Sequence, residues 1–136
     1  MSDTEQDVPL AEQGEIAAGF LRGVLERFGA AAEPATERGV AEIVPADEKT
    51  SFDVKELIGA LVDAESFCEV HERWAKELVV GYARIEGRAV GIVANQPKQR
   101  GGVLFVDSSD KAARFIQTCN AFNVPLLFLA DVPGFM

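Results

Sequence analysis

The sequence predicts an α/β domain whose sheet starts at Leu78. Three observations predict it. Residues Leu78–Ala94 alternate in strand fashion around Glu86-Gly87. A helical period follows, through Ala112, Phe115, Ile116 and Cys119. A wholly apolar run, LLFLA at Leu126–Ala130, comes next and stops at Asp131. A helix between two strands of one sheet is a right-handed crossover, and such sheets are covered on both faces.

The elements follow in chain order. Met1–Pro9 is a polar start. Across Leu10–Phe28, Ile16, Phe20, Val24 and Phe28 recur every four residues, which predicts an amphipathic helix. Gly14, Gly19 and Gly23 weaken it by about 1 kcal/mol each against Ala, and Gly29 is a plausible stop. Ala30–Thr50, with Pro34, Pro45 and many charges, reads as a linker in which Gly39–Val44 is a candidate brief strand. Asp53, with Glu56 three residues on, predicts a capped helix start. Val54, Leu57, Ile58, Leu61 and Val62 then line one face, and Asp63–Glu65 ends the helix. Ser66–Glu72 reads as an irregular strand and Trp74–Glu77 as a connection.

The two strands from Leu78 turn at Gly87, and Pro97 ends the second by removing a donor and restricting Gln96. Gly91 in the second strand suits close backbone packing. VLFV at Val103–Val106 reads as a short buried strand, with Ser108 or Ser109 capping the helix after it and Asn123 closing that helix. Lys111 and Arg114 read as exposed residues pairing with Asp107 or Asp110. The chain ends at Met136, just after LLFLA. A sheet begun this way normally adds further crossovers, so the core is expected to be incomplete there, with apolar surface left open around Leu126–Met136.

Composition narrows the function. The 136 residues are 48% hydrophobic, a globular fraction. Net charge is −9, and residues 1–50 hold eleven acidic against four basic side chains. That excess argues against nucleic-acid binding, which needs a basic footprint. No run approaches the about 20 apolar residues of a membrane span, and the acidic N-terminus lacks the pattern of a secretory signal. Cys68 and Cys119, the only two cysteines, fit a thiol-reducing cytoplasm.

Few residues suggest chemistry. Asp131, at the C-terminal end of a buried strand, is either a functional residue or a cap. Asp131-Val132-Pro133-Gly134-Phe135 can form a tight loop whose amides face a ligand. Lys98, Arg100, Gly101 and Gly102 make a basic glycine loop that suits an anion or is a solvated turn, and it matches no phosphate-loop or dinucleotide fingerprint. His71, the only histidine, has Glu69 and Glu72 nearby, which is poor evidence for a metal site. Ser108 and Ser109 have no histidine downstream to act as base. The sequence holds no complete catalytic constellation and no metal site.

The runs VVGYARIEGRAVGIVANQP (Val79–Pro97) and GVLFVDSSDKAARFIQTCNAFNVPLLFLADVPGFM (Gly102–Met136) resemble the carboxyltransferase (beta) subunits of biotin-dependent acyl-CoA carboxylases. Propionyl-CoA, acetyl-CoA and methylcrotonyl-CoA carboxylases form that family, with related acyl-CoA decarboxylases. FDVKELIGALVDAESFCEV (Phe52–Val70) is similar to the segment that opens the second half of those subunits. The resemblance implies an incomplete crotonase-like superhelix of strand–strand–helix repeats. Residues 1–50 would be a helix plus acidic linker at or before the end of the first half, and residues 51–136 the start of the C-terminal carboxyltransferase domain.

The resemblance also implies an activity: transfer of a carboxyl group from carboxybiotin to the alpha carbon of an acyl-CoA. In that chemistry backbone amides stabilise the biotin ureido and thioester oxygens, and biotin itself takes the alpha proton. No side-chain base is then required. The glycine-rich oxyanion elements of the family are absent, so no catalytic residue is assigned and little activity is expected of the chain alone. Asn95-Gln96-Pro97 and Asp131-Val132-Pro133-Gly134-Phe135 match family loops near the substrate and biotin cleft and are assigned shaping or binding roles. Phe105 stands where the family often has an acidic residue, which leaves the acyl group open. The implied partners are a biotin carboxylase and biotin carrier (alpha) subunit and further beta subunits. Two other readings stand: an acyl-CoA hydrolase or isomerase of the wider crotonase superfamily, and a non-enzymatic interaction or regulatory fragment.

Overall fold

A computed structural model of the chain describes residues 39–47 and 50–136. The helix expected at Leu10–Phe28 lies outside the described residues.

The first element is a correction. Gly39–Val44 is not a strand: Val40–Ile43 forms one helical turn, α1. Val40 and Ile43 both pack into one apolar cluster. Residues three apart share a face in a helix but lie on opposite faces of a strand, so the spacing favours the turn. The helix α2, Val54–Leu61, forms as its cap predicts, with Asp53 accepting from the Lys55 N–H. It buries Val54, Leu57, Ile58 and Leu61.

Four strands follow: β1 (Cys68–Val70), β2 (Leu78–Ile85), β3 (Arg88–Asn95) and, after the helix α3 (Val106–Ala121), β4 (Leu126–Leu129). They lie in the order β1-β2-β3-β4. The first two pairings are antiparallel and β3 with β4 is parallel, Gly91 to Leu126 through Ala94 to Leu129. The β2–β3 hairpin turns at Glu86 (φ 52°) and Gly87 (φ 77°), two successive positive φ values that suit the right-handed strand twist. Asp63 braces that turn by accepting from the Glu86 and Gly87 N–H groups at 2.8 and 2.7 Å.

The sheet is covered on both faces. One cluster joins α1 and α2 to Val79, Ala83, Val90, Ile92 and Ala94, with Leu127 and Leu129 packed on it. The other joins Phe115 and Cys119 of α3 to Leu78, Val80 and Val93. Gly91 makes that second contact close: a Cβ there would meet Cys119 Sγ at 2.7 Å and Leu126 Cδ2 at 3.0 Å.

Val103–Val106 is a second correction. It forms no strand beyond a single bridge from Leu104 to Phe135, and Val106 already belongs to α3. The polar run Asp107–Asp110 draws the helix start back. Ser108 does not stand at the cap position but reaches back from the first turn to accept from the Phe105 N–H at 3.1 Å. Ser109 Oγ donates to the Phe105 carbonyl at 3.1 Å. Asn123, in the left-handed region at φ 54°, follows α3 as its sequence position predicts. Among the described residues β4 pairs with β3 alone and is an edge strand, with Phe128 55% exposed. Val132, Phe135 and Met136 are also exposed, so apolar surface does remain open in Leu126–Met136.

Candidate functional site

The two loops singled out in the sequence lie side by side. β3 and β4 are parallel neighbours, so Asn95 ends one and Asp131 follows the other at the same end of the sheet. Asn95 is buried and spends its amide on the Asp131 backbone. Its Nδ2 donates to the Asp131 carbonyl, and its Oδ1 accepts from the Asp131 N–H at 2.7 Å. Gly102, at φ 76°, closes over this clamp: a Cβ there would stand 2.6 Å from Asn95 Nδ2.

The far end of the second loop is fixed as well. The Leu104 N–H donates to the Gly134 carbonyl at 3.1 Å, and the Met136 N–H to the Leu104 carbonyl at 2.9 Å. Asp131–Met136 is therefore held at both ends, and Val132, Pro133 and Phe135 between them are exposed. The N–H groups of Val132, Gly134 and Phe135 donate to nothing among the described residues.

Gln96 does not face that loop. Its Oε1 accepts from the Val54 N–H at 3.1 Å, its Nε2 donates to Asp53 at 2.7 Å, and its own N–H donates to the Glu77 carbonyl at 2.8 Å. Gln96 is thus a second cap on α2, delivered from the sheet. Pro97 is buried beside it. Gln96 and Gln99 also border an open, charged cleft of about 490 Å³ with Asp53, Lys55, Glu69 and Arg73. Burial would raise the Asp53 carboxyl, but the Gln96 amide, the Lys55 N–H and the Lys98 and Lys55 charges outweigh it and hold its pKa below 3.8.

The basic glycine loop is engaged internally. Lys98 Nζ lies 3.8 Å from Asp53, and the Arg100 guanidinium stacks 4.9 Å from the Phe105 ring centroid. His71 is exposed and meets Trp74 edge-on at 5.9 Å. Among the described residues, no three His, Cys, Asp or Glu side chains gather to hold a metal ion. Nor is any helix among them long and apolar enough to cross a membrane.

Lys111 is the clearest departure from the sequence reading. It is not a surface partner of Asp107 or Asp110 but fully buried. Its ammonium donates to the carbonyls of Leu78, Trp74 and Ala75 at 2.6, 2.8 and 3.3 Å. Burial pushes its pKa down, against the opposing pull of Glu69 and Glu77. Arg114 instead lies 5.9 Å from the Trp74 ring centroid. Beside Lys111, buried Glu77 accepts from Ser108 Oγ. The signal for Lys111 was its register: Ser108, Lys111, Phe115 and Cys119 are one inward face of α3.

Comparison with known proteins gives this geometry a context. The model of the carboxyl transferase domain matches residues 27–136. Over 100 residues the chain is 56% identical to the uncharacterized carboxylase YngE of Bacillus subtilis, covering 74% of this chain and 20% of that one. It is 50% identical over 100 residues to the propionyl-CoA carboxylase beta chain of Roseobacter denitrificans, with the same coverage of 74% and 20%. Among solved structures, the transcarboxylase 12S hexamer with methylmalonyl-coenzyme A and methylmalonic acid bound is 45% identical, with a TM-score of 0.72 over 79% of this chain and 20% of that one. A single-chain, multi-domain long-chain acyl-CoA carboxylase is 29% identical, with a TM-score of 0.74 over 87% of this chain and 12% of that one. The strand–strand–helix order is a partial crotonase-like fold of the kind those structures contain. The chain spans about one-fifth of the length of these two curated relatives.

Proposed function

Because the chain belongs to the carboxyl transferase domain family, we propose that it forms part of a carboxyltransferase acting on an acyl-CoA in a biotin-dependent carboxylase. In this reading residues 51–136 open the second, biotin-receiving half of the subunit. The reading extends to partners: other copies of the beta subunit and a subunit bearing biotin carboxylase and the biotin carrier, in the cytoplasm.

The observation that carries the reading is the Asn95–Asp131 clamp. It sets two loops together at the C-terminal ends of adjacent parallel strands, where α/β sheets bind ligands. What the second loop presents fits a biotin ureido or thioester oxygen. Three backbone N–H groups are available at Val132, Gly134 and Phe135, beside the apolar surfaces of Val132 and Phe135. Carboxylated biotin would supply the carboxyl group. Asn95 and Gln96 would hold the walls of the cleft, and Val132–Phe135 would border it.

The test is a segment exchange. Residues 51–136 replace the matching segment of the 12S subunit of methylmalonyl-CoA carboxyltransferase of Propionibacterium freudenreichii, which is 48% identical over 103 residues. Carboxyl transfer is then assayed with that enzyme's own biotin carrier. The expected result is a hexamer with activity within about tenfold of the parent, and Asn95→Ala lowers it further. A correctly assembled hexamer without transfer activity would refute the reading.

A further inference from the structure

The buried polar side chains are not scattered. Among the described residues they are Glu77, Asn95, Gln96, Ser108 and Lys111. Asn95, Gln96, Glu77 and Ser108 are joined by single covalent or hydrogen-bonded steps, and Lys111 joins them through the backbone flanking Glu77. Gln96 donates its N–H to the Glu77 carbonyl. The Glu77 carboxylate accepts from Ser108 Oγ. Lys111 holds the carbonyls on either side of that node, at Ala75 and Leu78, together with Trp74. Ser108 also holds the Phe105 N–H, next to the Leu104 backbone that fixes Gly134 and Met136.

We propose that Lys111, with Glu77 and Ser108, is a positioning residue for the loop pair, fixing Asn95–Pro97 and Asp131–Met136 against the first turns of α3. A leucine at 111 would simply extend the apolar face of Phe115 and Cys119, with no ammonium to desolvate. It would leave the Trp74 and Leu78 carbonyls without their ammonium donor, while the Ala75 carbonyl would keep the Leu78 N–H. That connection presents the Glu77 carbonyl to Gln96, so the ammonium sets where β3 ends and where Asn95 reaches Asp131. The functional importance of this arrangement rests on the carboxyltransferase reading, whereas the geometry does not.

The test is amide hydrogen exchange on the full chain by NMR, comparing Lys111→Met and Ser108→Ala with the parent. Expected for Lys111→Met is a rise of at least tenfold in exchange at Gln96 and Asp131, taken relative to the core amides of Val80 and Ile92. Ser108→Ala is the milder change and tests the same link if Lys111→Met does not fold. It is expected to raise the ratio at Gln96 and Met136 at least threefold. A purely structural role would accelerate all these amides together. A uniform change, or unchanged ratios in Ser108→Ala, overturns the proposal. No substrate enters the measurement, so failure of the carboxyl-transfer reading would leave this result standing, and the reverse also holds.

Discussion

Replacing Asn95 probes the joint between the two loops. Asn95 is buried, and both atoms of its amide are spent on Asp131, one accepting and one donating. Asn95→Ala removes two hydrogen bonds. At about 1 kcal/mol net for each, the expected loss is about 2 kcal/mol, because Asp131 is exposed and water can take over its backbone groups. Asn95→Asp nearly preserves the shape but turns the donor into a charged acceptor facing the Asp131 carbonyl. That buries an uncompensated charge, and the expected loss is about 3 kcal/mol. The order of stability is therefore parent, then Asn95→Ala, then Asn95→Asp.

Urea unfolding followed by Trp74, the only tryptophan, reads this order. With an m-value of about 1.5 kcal/mol/M, the midpoint of Asn95→Ala falls by about 1.3 M. Acid separates the causes, because a protonated Asp at 95 can donate again. The Asn95→Asp deficit should therefore shrink as pH falls through the pKa of the new carboxyl, while the Asn95→Ala deficit should not follow it. Gly102→Ala supplies a cycle. Its Cβ would collide with Asn95 Nδ2, so part of its cost should vanish in the Asn95→Ala background. An Asn95→Asp variant as stable as the parent at neutral pH, or strict additivity with Gly102→Ala, would refute the clamp.

Three further outcomes are expected. Gly91→Ala forces a Cβ against Cys119 Sγ and Leu126 Cδ2 and should cost about 1–3 kcal/mol; Cys119→Ala should restore part of it in thermal unfolding. Asp63→Asn keeps only one acceptor oxygen for the Glu86 and Gly87 amides, and should lower stability by about 1 kcal/mol, or Tm by about 4 °C. The Asp53 carboxyl is held below 3.8 in the folded chain, so its contribution is present above pH 3.8 and lost as pH falls through the lower folded value. Asp53→Ala should therefore cost about 1 kcal/mol at neutral pH. Its deficit should narrow below pH 3.8 in urea titrations, and a deficit that widens on acidification would count against the assignment.

The elements legible in the sequence were those whose signal is local. Asp53 marked the start of α2, Glu86-Gly87 the hairpin turn, and Asn123 the end of α3. The loop pair was legible as two separate motifs, and a parallel pairing of β3 with β4 was enough to bring them together. What escaped depended on partners distant in sequence. Val103–Val106 has strand-like composition, but its only bridge among the described residues is to Phe135, and Val106 belongs to the helix. Lys111 was read as a surface charge because lysine usually is one. Its partners are backbone carbonyls more than thirty residues away, which no side-chain motif announces. Gln96 carries a shaping or binding role in the sequence reading, and the part its amide plays at the α2 terminus has no local sequence signal.

That occupancy bears on the chemistry. Asn95 holds the Asp131 backbone through its amide, and Gln96 holds the Val54 N–H and the Asp53 carboxylate. Each amide nitrogen has one N–H engaged and keeps a second, but an amide is neither an acid nor a base with which to move a proton. What remains at the surface of Asp131–Phe135 is backbone N–H, apolar surface and one carboxylate. A hydrolase or isomerase that depends on a side-chain acid or base would have the Asp131 carboxylate as its one candidate in this loop. Carboxyl transfer from biotin asks less of side chains, because the biotin oxygen itself takes the alpha proton and the protein needs mainly to stabilise oxyanions with preorganised dipoles. A loop fixed at Asp131 and at Gly134–Met136, with its middle amides unspent among the described residues, suits such stabilisation. In the proposed reading, the buried polar network behind it holds backbone, instead of side chains, in place.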